Sequence, residues 1–393
     1  MRKLKVLFVS HSSELYGAEL NLLDIIKGLD LDIFEPYLLC PRKSGALVDA
    51  ARALGVRVEF VFYKYWIWRK CFDWRYICYL LINLMSVFPV VRIIRGNSID
   101  IVYTNTVTVI SGALAAKFTG RHHIWHIHET ISNGPEGFKF FGLTKFIFYV
   151  IYWLSQDVVV NSKFLQKLFP STCEDKIKII YNSFEVESDL FSCVDKKNIR
   201  MNYKDYGIVP ESKIVGVVGG FSARKNQEAA ILAMTHLLKK FPETKLVLFG
   251  QDSTSGKKYE VKLRSAVERL ELSKNVIFAG YVSDLQMVYG VLDILLVPSS
   301  DETFGRVIVE AMLFNVPVVA ASVGGIPEII EHGKTGLLCD MNNPDNIANI
   351  LADLLSAKYD LANITDNAYK FVKSKFSSTK MQSQIKDCLL GCA

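Results

Sequence analysis

Several things are missing from this 393-residue chain, and each absence removes a class of protein. Its eight cysteines, at 40, 71, 78, 173, 193, 339, 388 and 392, form no Cys-x-x-Cys pair and no ladder of the kind that staples small secreted domains. Reduced thiols in a cytosolic compartment are therefore expected. No apolar run reaches the roughly 20 residues that span a bilayer. Residues 77–91 carry no charge, but Asn83, Ser86 and Pro89 interrupt them, and no transmembrane helix is expected. The opening MRKLKVLFVSHSS has basic residues before an apolar run, yet Val6 to Val9 is short and no small-residue cleavage site follows. It reads as a first buried strand, not a signal peptide. Neither charge dominates: 46 Lys plus Arg against 40 Asp plus Glu leave +6, weak support for nucleic acid as a partner. No Gly-x-Gly-x-x-Gly follows the first strand, which disfavours a nicotinamide dehydrogenase. There is no repeat at a 20–50-residue period and no low-complexity tract.

What is present is an ordinary globular mix, 50% hydrophobic and 22% charged, in a chain long enough for two cores. Short β-branched runs recur at 5–10, 35–40, 56–62, 99–105, 123–128, 157–162 and 178–182, most of them separated by helical patterns. A second series follows at 214–219, 245–250, 275–280, 293–298 and 317–322. Continuous apolar strands alternating with helices predict parallel sheets covered on both faces. The polar stretch 184–212 lies between the series, and the boundary is placed near residue 195. The expected fold is thus α/β, two doubly wound Rossmann-like domains, 1–195 and 196–393, facing across a cleft. The last helix could pack back on the first domain. Loops at the carboxyl ends of both sheets are the place to look for a site.

Three loops of the second series combine charge with glycine. In VPSSDETFGRVIVEAM (297–312), Glu302 lies on the loop and Glu310 inside the following helix, with Phe304 and Gly305 between them. An acid near a helix start is favoured by the dipole, worth about 0.3–1 kcal/mol, but two carboxylates at a sheet's carboxyl end also suit paired sugar hydroxyls. In SVGGIPEIIEHGKTGLL (322–338), Gly324-Gly325 precede a short helix; the pair either cradles a phosphate with backbone N–H groups or makes a tight turn. In VVGGFSARKNQEAAILAM (217–234), Arg224 and Lys225 sit in a strand-to-helix turn, either as a solvated basic turn or as a diphosphate site needing no metal.

Taken together and in this order, the three loops resemble the retaining GT-B glycosyltransferases, specifically glycosyltransferase family four. The resemblance spans about residues 4 to 355 and is strongest over 293–338. It implies that Glu310 binds ribose hydroxyls, Glu302 contacts the donor sugar, Lys225 with Arg224 holds the diphosphate, and Gly324 and Gly325 turn against the sugar phosphate. Phe304, Gly305 and Gly220 would line the same donor site. Gly220 stands where family members commonly carry an arginine, a charge that Arg224 could supply from the same turn. In the first half, SHSSELYGAELNLLD (10–24) resembles the family's glycine loop, with Gly17 and Glu19 in place and Tyr16 where a second glycine often stands. HIWHIHET (123–130) resembles the strand ending in the family's His-acidic pair, here His128-Glu129, and KIIYNSFE (178–185) carries Ser183 in place of a glycine.

The resemblance implies a metal-independent hexosyltransferase with no cofactor. His128, Lys225 and Glu302 would be catalytic, a UDP- or GDP-sugar the donor, and a lipid-linked or growing surface glycan, such as lipopolysaccharide or capsule, the acceptor. The residues leave alternatives open: an epimerase on the same fold, or a non-catalytic glycan-binding or scaffold relative. His126 and His128 share one face of a strand with Glu129 opposite, so the three converge poorly on a metal. Asp30-Leu31-Asp32 mimics a metal motif by chance. Finally, residues 61–95 hold ten aromatics and six Lys/Arg (Lys64, Arg69, Lys70, Arg75, Arg92, Arg95) against one acid, Asp73. Residues 137–153 add eight aromatics. This suits peripheral attachment to an anionic membrane on the cytoplasmic face, with Trp66, Trp68 or Trp74 as anchors; large core helices are the competing explanation. A single-stranded nucleic-acid platform lacks any recognised module around it.

Overall fold

The computed structural model describes residues 2–68, 74–132, 138, 140, 143–184, 195–254 and 256–392. It divides into two compact units, 1–183 with 378–393, and 184–377. The first crossing therefore comes before the boundary placed at 195, and 185–194 lie outside the described residues. The reason is local. Phe184 bridges to Ser377, donates its N–H to the Phe376 carbonyl at 3.1 Å and stacks on Phe304, so it already belongs to the second unit. The helix Ser378–Leu390 instead buries Met381, Ile385, Cys388 and Leu389 in the core of the first unit.

The first unit holds a seven-stranded parallel sheet: β1 (Leu4–Val9), β2 (Phe34–Cys40), β3 (Arg57–Phe60), β4 (Ile101–Thr104), β5 (His122–Ile127), β6 (Asp157–Val160) and β7 (Ile177–Ile179), in the order 3-2-1-4-5-6-7. Its strands are apolar on both faces because helices cover both. Val6 and Phe8 of β1 join the core under the helices Gly17–Lys27, Ala46–Ala53 and Ser378–Leu390, while Leu7 and Val9 join the opposite core with Val87, Val90 and Ile94. Right-handed crossovers place the helices Arg75–Gly96, Ser111–Thr119 and Thr144–Leu154 together on that second face. The second unit holds a six-stranded parallel sheet: β8 (Ile214–Val218), β9 (Lys245–Phe249), β10 (Val276–Gly280), β11 (Ile294–Val297), β12 (Val318–Ala321) and β13 (Leu337–Cys339), in the order 10-9-8-11-12-13. The edge strand β13 is only three residues long and had no place in the sequence series.

Two expectations change. Asn83, Ser86 and Pro89 do not interrupt the apolar run of 77–91, which continues as one 22-residue helix, Arg75–Gly96, long and apolar enough by length and composition to cross a membrane. Asn83 and Ser86 sit on its buried side and satisfy backbone carbonyls, Asn83 Nδ2 to Tyr79 at 3.0 Å and Ser86 Oγ to Asn83 at 2.7 Å. Of the tryptophans taken as membrane anchors, Trp66 and Trp68 are core residues, the Trp66 indole N–H held by the Val107 carbonyl at 2.7 Å; Trp74 is exposed. Arg69, Lys70 and Asp73 of that segment lie outside the described residues.

Candidate active site

In the second unit the polar side chains gather at the carboxyl ends of β8, β11 and β12. After β8 the chain passes Gly219 and Gly220 into a short 3-10 turn, Ala223–Lys225, and then the helix Gln227–Leu237. That turn is fastened to the loop after β11: Ser300 N donates to the Arg224 carbonyl at 2.9 Å, and Arg224 Nη1 donates to the Asp301 carbonyl at 3.0 Å. Lys225 Nζ thereby reaches Glu302 Oε2 at 2.5 Å, with Arg224 Nη1 3.9 Å from the same oxygen. Burial alone would raise the Glu302 carboxyl, but the charges of Lys225 and Arg224, with the Lys225 hydrogen bond, outweigh it and hold the group below the ordinary carboxylate value. Residues assigned by resemblance to different parts of a donor, sugar and diphosphate, are thus one ion pair.

Glu310 lies inside the helix Arg306–Leu313 and is nearly buried. Its Oε1 accepts from Arg306 Nε at 2.9 Å and its Oε2 from the Tyr289 hydroxyl at 2.6 Å. Arg306 was legible as an i, i+4 partner. Tyr289, at the end of the helix Leu285–Tyr289, comes from another element and gave no signal in the sequence.

Gly324 makes the positive-φ turn that one sequence reading offered, and with Gly325 it also does a job that neither reading named. Gly325 N donates to the Glu302 carbonyl at 2.8 Å, and a Cβ on Gly324, at φ +57°, would stand 1.9 Å from that same oxygen. One on Gly325 would stand 2.3 Å from the Thr303 carbonyl. The pair lets two loops touch backbone to backbone and so fixes Glu302 in place. By contrast Gly220 has no positive φ, and a Cβ there would meet only the Gln251 carbonyl at 3.7 Å. Gly305 opens the helix of Glu310 at φ +102°. Phe304 is buried, its ring stacked on Phe184 and edge-on to Phe376 at 5.2 Å, so packing accounts for that side chain.

In the first unit a buried polar cluster occupies the same position relative to its own sheet. Glu19, in the first turn of the helix that Gly17 opens, is fully buried; its Oε1 accepts from Ser10 Oγ at 3.0 Å and lies 3.1 Å from His11 Nδ1, while Oε2 has no hydrogen-bond partner among the described residues. Burial raises its carboxyl, and His11 and Ser10 only partly oppose that. Among the described residues, a Cβ built on Gly17 would meet nothing within 4 Å beyond its own stretch of chain. Asn105, just beyond β4, donates Nδ2 to the Ala18 carbonyl at 2.9 Å, leaving its Oδ1 as the acceptor 3.0 Å from His128 Nε2. His128 Nε2 therefore carries the proton, and Nδ1 faces Asn161 Nδ2 at 3.4 Å. Burial, only partly offset by Glu129, lowers His128 to about 4. Asn105 and Asn161 thus join the cluster around His128, and the sequence did not announce them.

Glu129 is spent on the backbone, accepting from Val107 N and His128 N at 3.1 Å each and from Thr106 Oγ1. The His126 ring packs 4.0 Å from that of His128 and bonds Tyr103 at 2.8 Å. These groups do not converge on a point. Donor atoms of His122, Asp157 and Cys392 do lie within 4.8 Å of one another, but Lys178 Nζ stands 2.7 Å from Asp157 Oδ1 and supplies a cation there. Asp30 pairs with Lys386 at 3.0 Å.

Comparison with known proteins agrees with this arrangement. Residues 199–371 match the model of the group 1 glycosyl transferases, and residues 16–188 match that of glycosyltransferase family 4. HepE of Anabaena, whose crystal structure is a complex with UDP and glucose, superposes with a TM-score of 0.82 at 26% identity, covering 98% of this chain and 99% of that one. The two parallel sheets are those of a GT-B glycosyltransferase. The chain belongs to glycosyltransferase family 4, the group 1 enzymes. A glycosyltransferase of Methanocaldococcus jannaschii is 34% identical over 240 residues, 58% of each chain. The N-acetyl-alpha-D-glucosaminyl L-malate synthase of Bacillus anthracis is 30% identical over 189 residues, 48% of each. The matches thus span about half the length of these curated relatives.

Proposed function

We propose that this protein is a retaining glycosyltransferase that moves a monosaccharide from a UDP- or GDP-sugar to a hydroxyl of a lipid-linked or growing surface glycan. The observation that carries the donor half is the buried contact of Glu302 with Lys225 and Arg224. As the anomeric C–O bond breaks, negative charge builds on the departing diphosphate. Lys225 and Arg224, already held in place by the loop after β11, stabilise it without reorganising. Glu302 takes hydroxyls of the transferred sugar, and Glu310, oriented by Tyr289 and Arg306, takes the ribose. Anabaena HepE, crystallised with UDP-glucose and 26% identical, supports a nucleotide-sugar donor. The acceptor hydroxyl attacks from the face the diphosphate leaves, its proton passing to a diphosphate oxygen, which gives net retention. His128, neutral above about pH 4, contributes as a hydrogen-bonding group to the sugar and not as an acid. No metal or other cofactor enters. The first unit takes the acceptor, and peripheral attachment to an anionic membrane on the cytoplasmic side would bring it to a lipid-linked one.

A panel of UDP- and GDP-sugars tests this. The true donor at saturation should stabilise against heat by about 3 kcal/mol at a hundredfold excess over its Kd. It should be slowly hydrolysed, and activity should survive EDTA. Conversion of the donor to its epimer would replace transfer by epimerisation, and binding without turnover would leave a glycan-binding relative. Loss of activity in EDTA with recovery on Mg²⁺ or Mn²⁺ would remove the metal-free mechanism.

A further inference from the structure

The helix Arg75–Gly96 has two unlike sides. One side seats Val87, Val90 and Ile94 in the core of the first unit. The other, from Trp74 through Ile77, Leu81, Leu84, Met85 and Phe88, is exposed, Met85 at 70% and Phe88 at 78%. These positions recur at helical spacing over four turns, and Arg92 and Arg95 continue the same stripe. The helix Thr144–Leu154 repeats the design with exposed Phe146, Tyr149 and Trp153. Between the two, the helix Ser111–Thr119 exposes Phe118, and its Lys117 lies 4.8 Å over the Trp153 ring. All three helices lie on one face of the first sheet. Together they carry Arg75, Arg92, Arg95, Lys117 and Lys145 and not one Asp or Glu. Large apolar side chains exposed in such number on one face mark an interaction surface.

We infer that this three-helix face docks on an anionic lipid leaflet, with the helix Arg75–Gly96 lying in the interface and its outer stripe immersed. The inference rests on the membrane attachment proposed above and specifies the surface. Charge selects the occupant: five cations without an acid would repel the same face of a second copy, whereas anionic headgroups complement them. Depth follows from packing. Standing the helix upright across the bilayer would strip Val87, Val90 and Ile94, with Asn83 and Ser86, from their places in the first unit, so it lies on the membrane instead of spanning it.

Flotation of the full chain tests this with vesicles of phosphatidylcholine alone or with phosphatidylglycerol, at low and high salt and without any sugar nucleotide. Binding should need phosphatidylglycerol and fall with salt. Met85→Glu/Phe88→Glu and Arg92→Glu/Arg95→Glu, each with an unchanged melting temperature, should lower partitioning about tenfold or more. Emission of exposed Trp74 and Trp153 should shift to the blue on binding, while the buried Trp66, Trp68 and Trp125 stay shielded from quencher throughout. Undiminished flotation of both folded variants would overturn this face but leave membrane attachment standing. No flotation of the wild type would remove both. Resistance to alkaline carbonate would overturn the in-plane arrangement in favour of a spanning helix. A lipid-free dimer abolished by Met85→Glu/Phe88→Glu would assign the face to a second copy.

Discussion

The two units share an architecture and treat buried charge in opposite ways. In the second, Glu302 stays ionised under cover because Lys225 and Arg224 stand beside it. In the first, burial prevails: His126 is held well below its ordinary value, His123 falls to about 3 and His128 to about 4, and Glu19 is pushed up. The carboxyl ends of the second sheet offer preorganised charge, suited to a departing diphosphate; those of the first offer the neutral His128, suited to hydroxyls, while His123 and His126 lie within β5 itself. The same sheet topology therefore does not dictate the electrostatics of its loops, and the side chains after each strand do.

Acid should separate the units most strongly. Each of the three buried histidines is neutral in the folded state and protonates on unfolding below its ordinary value near 6.5, so stability is lost as pH falls from 6.5 towards 4. The limit is on the order of 2 kcal/mol per histidine at pH 5. All five tryptophans, 66, 68, 74, 125 and 153, lie in the first unit, so their fluorescence melts report it selectively. The Glu302 pair contributes its loss only below the ordinary carboxylate range. A first unit as stable at pH 5 as at pH 7 would contradict the neutral histidines.

Lys225→Met comes next. It leaves Glu302 buried without its nearest cation and should cost about 3 kcal/mol, measured by hydrogen exchange in the second unit. Lys225→Met/Glu302→Gln should recover most of that stability but not affinity for UDP or GDP. A smaller contrast lies in the glycines. Gly324→Ala should cost about 1–3 kcal/mol through its positive φ and the clash with the Glu302 carbonyl, and should weaken nucleotide binding. Gly220→Ala should stay within about 0.5 kcal/mol. Equal effects would show that the loop contact is not what requires Gly324. The smallest effect is expected at Glu19: Glu19→Gln should raise the melting temperature at pH 7 by a few degrees, about 1 kcal/mol, because it removes a buried, half-satisfied carboxylate. A gain in stability with a loss of turnover would mark Glu19 as retained for function.

Most of the framework was legible because parallel strands buried on both faces write themselves as apolar runs. All seven strands of the first sheet and five of the second coincide with the runs read from the sequence, including the three-residue β7 and the partly exposed β3; only β13 of the described strands was not read. The order of Glu302, Gly305, Glu310, Gly324 and Gly325 was legible because the residues are close in sequence. What joins them was not. Lys225 meets Glu302 across 77 positions, and Tyr289 meets Glu310 from a separate helix. The extent of Arg75–Gly96 was misjudged because Asn83 and Ser86 look like breaks until their backbone bonds are seen.

The return of the helix Ser378–Leu390 to the first unit has a consequence for synthesis. The second unit is one uninterrupted stretch, 184–377, whereas the first lacks Met381, Ile385, Cys388 and Leu389 until the whole of the second has left the ribosome. The part translated first thus completes its core last, holding an open flank beside the helix Gly17–Lys27 and the strands β6 and β7 while its neighbour folds. Nascent chains stalled after residue 377, with linker enough to clear the exit tunnel, should show a protease-resistant second unit and a cleavable first.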